Sequence, residues 1–262
     1  MHAKRLLTAA VLLPVFYLFI TKLPGIWFDV LAAAMGMLAL WEFLHFYGAP
    51  PAMKLLGMGL GLFFLIGAAL SGHVSANAYT LLLLVTVTAK MLKSGPASSL
   101  KEVSTVMVAL LYIPGLIVYQ MFLRGMGAQW IIFLYGTVWI GDSAALYVGH
   151  SLGRKKLYPE VSPNKTVEGA IGSVIGGCAA GFAASRLFPL GISPATAAGL
   201  GLLMGITAVA GDLVESMFKR DAGVKDSSNV LPGHGGILDK LDGPLFSAPI
   251  LYWGLHILGL KF

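Results

Sequence analysis

The sequence predicts an all-α fold, a polytopic transmembrane helical bundle of about nine spans. Of the 262 residues, 57% are hydrophobic and only 11% are charged, and the mean hydropathy is +0.81. A soluble domain carries about 25% charged residues, so this composition excludes a soluble globular protein. In addition, apolar runs recur along the chain, most of them near the ~20 residues that a helix needs to cross a bilayer.

Polar and turn residues divide the chain into these predicted spans. The first run continues to about Thr21 without a persuasive cleavage site, so we interpret it as a helix and not as a signal peptide. Pro14 and Pro114 lie inside spans and are expected to kink them. The fourth and ninth runs are short. The nine predicted spans are residues 5–21, 25–46, 55–71, 77–92, 103–123, 128–149, 168–187, 193–217 and 245–260.

The distribution of basic residues supports this topology. With the N-terminus inside, fourteen of the eighteen Lys and Arg residues fall in inner segments. Cytoplasmic loops carry an excess of Lys and Arg, so the positive-inside rule favours both the count and the orientation. The net charge of +6 then lies mostly on the cytoplasmic face, where it attracts anionic lipid headgroups. Nucleic acid is not an expected partner, because no soluble basic domain is present.

Glycines spaced four residues apart predict close helix packing in the second half of the chain. Such small-residue faces let two helices approach each other, either within one chain or across a dimer. The only cysteine, Cys178, cannot form an internal disulfide and is expected to be a packing residue. The three glycine pairs are Gly172/Gly176, Gly177/Gly181 and Gly201/Gly205.

The acidic residues divide the chain into two predicted parts. Nine of the twelve lie after residue 140, which favours N-terminal transmembrane helices over 1–125, as a scaffold, and a C-terminal transmembrane region with the chemistry over 126–262. Asp142 interrupts an apolar helix. A carboxylate at a helix centre costs about 2.5–3.5 kcal/mol on insertion scales, so Asp142 should face a polar cavity or a partner. The following basic loop suits anion binding, although its segment 162–166 is also typical of a plain helix start.

The end of the eighth span carries a polar stripe. Asp212, Glu215, Ser216 and Lys219 fall at i, i+3, i+4 and i+7, which places them on one face of a helix. A snorkelling helix end explains Lys219 and its neighbour Arg220. It does not explain Asp212, which lies deeper and follows a long apolar run.

The loop over 221–244 combines glycines with paired acids. Gly235 and Gly236 would let the backbone approach a phosphate closely. Asp239 and Asp242 are three residues apart, so one helical turn would place them on the same side. Magnesium is often held by one or two carboxylates while substrate phosphates complete its shell. A capped loop is the alternative for the aspartates taken alone.

Together these groups favour phosphoryl or nucleotidyl transfer to a membrane lipid at the cytoplasmic surface. Acids can hold a divalent cation and lysines can hold phosphates, and such reactions depend on positioning and charge neutralisation. The sequence contains no Walker A motif and no Gly-x-Gly-x-x-Gly after a strand, so a soluble nucleotide-binding fold is not expected.

The same residues resemble the signature of phosphatidate cytidylyltransferases, also called CDP-diacylglycerol synthases. The resemblance covers about residues 138–245 and includes the segments around Asp142, Lys165 and Asp212. Lys240 departs from the family, which usually has Arg there; the charge is kept but the bidentate geometry is not, so its role stays open. The signature runs from Ser216-Met217-Phe218-Lys219-Arg220 through Lys225-Asp226 to Pro232-Gly233-His234-Gly235-Gly236-Ile237-Leu238-Asp239-Lys240-Leu241-Asp242.

The resemblance implies the reaction of CTP with phosphatidate to give CDP-diacylglycerol and pyrophosphate, with Mg²⁺ required and room for a second cation. It implies a membrane-embedded homodimer that contacts membrane lipids. The compact length favours a bacterial inner membrane, and the basic loops favour catalytic loops that face the cytoplasm. The implied metal ligands are Asp212 and Asp239, with Asp242 as a further candidate. The implied catalytic residues are Asp212, Asp239, Lys219, Arg220 and His234. The implied substrate-binding residues are Lys165, Ser216, Lys225, Asp226, Gly235, Gly236, Lys240, Asp142 and Glu215.

Two other functions remain open on the residues alone. The chain could be a CTP-dependent enzyme with another lipid acceptor, such as an isoprenoid-type precursor or a polyprenol. It could also be a cation-coupled transporter, whose intramembrane acids would form an ion path. A transporter would spread its acids through both halves, whereas these acids cluster in one half. Dependence on CTP separates the two classes.

Overall fold

The structure is a computed structural model that describes residues 14–94, 96–228, 230 and 235–260. Within these ranges a helical segment over 14–22 is followed by nine further helices and one two-stranded antiparallel hairpin. The strands are β1 (Lys156–Tyr158) and β2 (Ser162–Thr166), between α6 and α7. The helices are α1 (Gly25–Phe46), α2 (Pro51–Ser71), α3 (Ala76–Ser94), α4 (Ser99–Tyr112), α5 (Pro114–Met126), α6 (Ala128–Leu152), α7 (Val167–Leu187), α8 (Pro194–Asp221) and α9 (Leu238–Ile257).

Six of the predicted spans correspond to helices that are long and apolar enough to cross a membrane. They are α1, α2, the joined pair α4–α5, α6, α7 and α8. The fourth and ninth predicted spans are helical, as α3 and α9, but neither is among the six in the described part of the chain. The first predicted span lies largely in residues 1–13, outside the described residues. The count of nine therefore stays a prediction.

Pro114 breaks the predicted fifth span as expected. Helix α4 ends at Tyr112, and Pro114 occupies the first turn of α5, where its missing N–H removes no helical hydrogen bond. The kink predicted at Pro14 depends on residues before it, which lie outside the described part of the chain.

The all-α prediction missed the hairpin. Segment 162–166 forms strand β2, and α7 begins directly after it at Val167, so the helix start given as one alternative for this segment is also present. Thr166 caps that helix, because its Oγ1 accepts the N–H of Gly169 at 3.1 Å. The Glu168 carboxylate accepts the N–H of Arg154 at 3.0 Å and so ties the base of the hairpin to α7. Local side-chain to backbone hydrogen bonds thus define the junction between the hairpin and α7.

The glycine pairs bring α6, α7 and α8 into backbone contact. Gly177 and Gly181 of α7 face Gly201 of α8, where an added Cβ would lie 3.1 Å from the Gly181 Cα and closer still to the Gly177 carbonyl oxygen. Gly172 and Gly176 face α6 in the same way. The glycines therefore serve packing within one chain, one of the two alternatives above. This close packing places the cytoplasmic ends predicted for α6 and α8 beside each other.

Contacts also cross the predicted boundary at residues 125 and 126. Helices α1 and α5, from the first part, both pack on α9 of the second part. Within the parts, α1 also packs on α5, and α9 packs on α8. The shared core includes Leu40, Phe43, Leu110, Leu241 and Leu245, all of which are buried. The division into two parts stays a prediction, but α1 and α9 are direct neighbours.

Gly201→Ala should destabilise the protein, with Gly199→Ala as a matched control two residues away on the same helix. At Gly201 the new methyl group meets α7 backbone, which cannot move aside cheaply, whereas at Gly199 nothing lies within 4 Å. We expect Gly201→Ala to lower the melting temperature of detergent-solubilised protein by several degrees. Gly199→Ala should leave it unchanged or slightly higher, because alanine favours helix by up to about 1 kcal/mol. Equal melting temperatures for the two variants would contradict this account of the α7–α8 contact.

Candidate active site

A cavity of about 740 Å³ lies where α6, α7, α8, α9 and the hairpin meet. This volume is within the range of about 300–1,000 Å³ that is usual for small-molecule sites. Its lining includes apolar side chains, among them Trp139, Leu146, Leu157 and Val209. Charged side chains line it as well. Six of the residues predicted from the sequence line it: Asp142, Lys165, Asp212, Asp239, Lys240 and Asp242.

Three carboxylates converge beside the cavity. Asp212 and Glu215 share one face of α8, and Asp242 comes from the first turns of α9; one oxygen of each lies within 4.8 Å of the others. Gly211 permits this, because an added Cβ there would collide with the main chain at Asp242. The two helices can therefore approach closely enough for acids on both to meet.

This group has the chemistry of a site for a hard divalent cation. All three donors are carboxylate oxygens, the ligand type that Mg²⁺ and Ca²⁺ prefer. The Glu215 Oε1 atom is buried and has no hydrogen-bond partner among the described residues. A buried carboxylate oxygen is costly to leave unpaired, so a cation at this position fits the residues present. The sequence had assigned Glu215 to substrate binding instead.

The electrostatics of Asp242 also favour a cation. Asp242 lies outside the six apolar spans. Burial, and next the carboxylate of Asp212, raise the pKa of Asp242 to about 7, even though Lys165 opposes the shift. Like charges close together disfavour ionisation. A bound cation would reverse this balance and keep the carboxylate ionised.

The hairpin contributes a counter-charge to the same group. Lys165 at the end of β2 forms an ion pair with Asp212 Oδ2, and the Ser216 hydroxyl lies 3.4 Å from Asp212 Oδ1. The Thr166 cap and the α7 start fix the position of this lysine. Asp212 is therefore held between its own helix and the hairpin.

Asp239 faces the cavity but is held chiefly by protein donors. Its Oδ1 accepts Lys219 Nζ at 2.5 Å, and its Oδ2 accepts the N–H of Gly236 at 2.7 Å and the hydroxyl of Ser227 at 2.9 Å. Burial alone would raise the pKa of Asp239, but hydrogen bonds from the Lys219 ammonium and the Gly236 amide help to lower it to about 2. Asp239 is thus ionised at neutral pH. Its predicted role as a metal ligand stays a prediction, since the three-carboxylate group contains Glu215 in its place.

The two basic residues at the end of α8 both have protein partners. Lys219 is buried and bridges Glu215 Oε2 at 2.6 Å and Asp239 Oδ1. Arg220 donates through Nε to the Val161 carbonyl at 3.3 Å and through one Nη to the Val224 carbonyl at 3.2 Å. In this arrangement Lys219 links α8 to α9, and Arg220 links α8 to the hairpin turn. The stripe predicted on α8 is confirmed by these contacts.

The remaining predicted residues lie around this centre. Lys225 and Asp226 are exposed after the end of α8 and do not line the cavity among the described residues. Gly235 has a φ of +81°, a left-handed backbone that glycine adopts without strain. Gly236 is buried against acidic side chains, where an added Cβ would lie 2.5 Å from an oxygen of Glu42. His234 lies outside the described residues.

Sequence reasoning missed several residues that the structure brings to this region. His150, Lys156 and Asn164 line the cavity, and Glu42 of α1 contacts the residues around Asp239. The hairpin was missed because its strands are too short to show an alternating pattern. For Glu42 a signal did exist: together with Asp29 it is one of two acids in an apolar helix of the first half.

Comparisons with known proteins agree on a family. The sequence profile of the cytidylyltransferase family matches residues 3–258. A phosphatidate cytidylyltransferase of Bacillus subtilis is 34% identical over an alignment of 266 positions, which covers 97% of this chain and 97% of that protein. Another of Synechocystis is 44% identical over 127 residues, 48% of this chain and 43% of that protein. One of Staphylococcus aureus is 40% identical over 128 residues, 49% of each. The chain therefore belongs to the cytidylyltransferase family.

Removing single carboxylates should show which of them hold a cation. We expect Asp212→Asn and Glu215→Gln each to weaken Mn²⁺ binding by about 10-fold or more, because each removes a proposed ligand. Binding can be followed by electron paramagnetic resonance of Mn²⁺ with protein in detergent. Glu160→Gln is the control, since Glu160 is exposed in the hairpin turn and does not line the cavity.

Asp239→Asn separates the two possible ligand sets. If the cation sits on Asp212, Glu215 and Asp242, this variant should weaken Mn²⁺ binding less than Glu215→Gln does. A larger loss with Asp239→Asn, together with a small loss with Glu215→Gln, would support the ligand set implied by the family resemblance and would contradict the trio.

Proposed function

We propose that this chain transfers a cytidylyl group from CTP to phosphatidate, giving CDP-diacylglycerol and pyrophosphate for phospholipid synthesis. The observation that carries the proposal is that one cavity is lined by carboxylates, by lysines and by large apolar side chains. An acceptor with a phosphate head and acyl chains needs both surfaces. The Bacillus subtilis relative, which matches almost end to end, is named a phosphatidate cytidylyltransferase, and this supports the same substrate pair.

The proposed metal site is the trio of Asp212, Glu215 and Asp242. A divalent cation such as Mg²⁺, when bound there, would neutralise phosphate charge and help to orient the triphosphate. Asp239 is retained as a ligand of this cation or of a second one. Each carboxylate oxygen can accept more than one contact, so its Oδ1 has capacity beyond the bond from Lys219.

The proposed reaction needs little acid–base chemistry from the protein. A phosphate oxygen of phosphatidate attacks the α-phosphorus of CTP, the bond between the α-phosphorus and its bridging oxygen breaks, and pyrophosphate leaves. The attacking oxygen is already anionic near pH 7, so no strong general base is required. The protein's work is then to hold two anionic groups together against their repulsion, which is where positioned charges contribute most.

The basic residues are proposed to supply that positive charge. Lys165 and Lys240 line the cavity, so they can reach phosphates directly. Lys219 and Arg220 would act mainly by holding Asp239 and the hairpin in place. Lys225 and His234 are proposed to donate hydrogen bonds to the phosphates, and Asp226, Ser216, Gly235 and Gly236 to shape the same region.

The placement in the cell is part of the proposal. The cavity would open at the cytoplasmic side of a bacterial inner membrane, where CTP is available and where the positive-inside rule places the basic loops. A homodimer and a nine-span topology are kept as proposals that rest on the family resemblance and on the apolar runs.

The direct test is product formation by purified full-length protein in detergent with labelled CTP. We expect CDP-diacylglycerol from phosphatidate with Mg²⁺ and none with EDTA. Asp212→Asn should lower the rate by at least about 100-fold, because it removes a proposed ligand and the partner of Lys165. Glu160→Gln should retain the wild-type rate.

The choice of acceptor distinguishes the rivals. Polyprenol and isoprenoid phosphates are offered in place of phosphatidate under the same conditions. Product with one of these, and none with phosphatidate, would move the protein to another lipid acceptor. Folded protein that does not bind CTP at all would contradict every cytidylyl-transfer proposal and would reopen a transport function.

A further inference from the structure

Glu42 is a buried acid in the half of the chain that the sequence treats as scaffold. It lies near the end of α1, and its side chain has no exposed surface. Burying a carboxylate without compensation is expensive, so its partners indicate what it does. It does not line the cavity, and it is not part of the three-carboxylate group.

Among the described residues, the donors to Glu42 all come from the far end of the chain. Oε1 accepts the N–H of Ile237 at 2.9 Å and the hydroxyl of Ser228 at 2.6 Å. Oε2 accepts the N–H of Leu238 at 2.8 Å and lies 3.1 Å from the hydroxyl of Ser227. One side chain thus collects two main-chain and two side-chain donors from about 190 residues away.

These contacts cap helix α9. The helix begins at Leu238, and its own N-cap residue, Ile237, makes no side-chain cap bond. The first amides of a helix lack partners within the helix, and a negative charge there also interacts favourably with the helix dipole. Glu42 supplies both effects from another helix.

The cap is coupled to Asp239 through one residue. The Ser227 hydroxyl lies 2.9 Å from Asp239 Oδ2 as well as 3.1 Å from Glu42, and it can donate its single proton to only one of them at a time. The Ser227 amide also donates to Asp239 Oδ2 at 3.2 Å. Gly236 lies between the two acids, and an added Cβ would come within 2.6 Å of both oxygens of Glu42. Glu42 and Asp239 therefore clamp the same backbone from two sides.

We propose that Glu42 is the positioning residue that orients the first turns of α9, and with them Asp239 and Asp242, for cation binding. The inference rests on the proposed function, since the cation and substrates are those named above. In this proposal, the hydrogen bonds from α9 to Glu42 of α1 fix the start of α9. The position of that start in turn determines the positions of Asp239 and Asp242. Without the cap, the helix start would fray and the distance from Asp242 to Asp212 and Glu215 would vary.

The test compares full-length wild-type protein with Glu42→Gln and Glu42→Asp in detergent. Glutamine keeps the shape but loses the charge and offers an amide group to two main-chain N–H donors. We expect faster hydrogen–deuterium exchange in peptides spanning 235–242, and Mn²⁺ affinity lower by about 10-fold or more, as is typical when a residue supporting a metal ligand is lost. The Mg²⁺ concentration for half-maximal rate should rise in parallel, while KM for CTP at saturating Mg²⁺ changes little. Glu42→Asp should recover part of both losses.

Glu102→Gln is the matched control. Glu102 is also an acid of the first half in a partly buried ion pair, 2.9 Å from Lys90, but it joins α3 to α4 far from the site. We expect it to lower the melting temperature without changing exchange at 235–242 or Mn²⁺ affinity. A Glu42→Gln variant that behaves in the same way would overturn the proposal and leave Glu42 a stabilising residue.

A milder variant covers the case in which Glu42→Gln does not fold. Ser228→Ala removes one donor and leaves the charge and both amide contacts in place, so exchange and Mn²⁺ affinity should shift in the same direction by a smaller factor. No shift in either measurement would overturn the proposal. Exchange and Mn²⁺ binding need no product, so they test Glu42 even if wild-type protein makes no CDP-diacylglycerol, an outcome that counts against the proposed function alone.

Discussion

Repulsion among carboxylates is the constraint on which the rest of the site depends. Asp212, Glu215 and Asp242 meet within a few ångströms at the edge of an apolar bundle. Such a cluster cannot stay fully ionised without positive charge nearby. Lys165 of the hairpin forms an ion pair with Asp212, and Lys219 of α8 forms one with Glu215. A bound cation and the lysines of the cavity would have to balance the remaining negative charge.

The cluster exists only because the backbones around it are unusually close. Gly211 admits the main chain of α9, and Gly201 with Gly177 admits the main chain of α7. An added Cβ at any of these positions would collide with the neighbouring backbone and force the helices apart at that contact. The glycines of the late helices are therefore part of the site's geometry, although none of them needs to touch a substrate. Packing and chemistry are specified here by the same residues.

The sequence predicts well what helical periodicity determines. The stripe over Asp212, Glu215, Ser216 and Lys219 and the pair Asp239 and Asp242 follow from spacing alone, because neighbours at i+3 and i+4 share a face. It does not predict contacts between elements, such as Lys165 with Asp212 or Lys219 with Asp239, which depend on how the helices pack. The hairpin was missed for a local reason: its strands of three and five residues are too short to show an alternating pattern.

The same limit explains why no functional residue was predicted in the first half. Glu42 belongs to no local sequence pattern, and its contacts form only because α1 packs against the start of α9. A signature confined to residues 138–245 therefore includes the groups that face the cavity and many of their partners, but not Glu42. Asp239 illustrates this, since its partner Ser227 also contacts Glu42, and Gly236 precedes Ile237, whose N–H Glu42 accepts. The acids of the second half then depend on an acid of the first, and a boundary at residue 125 separates sequence patterns more than it separates the physical parts of the site.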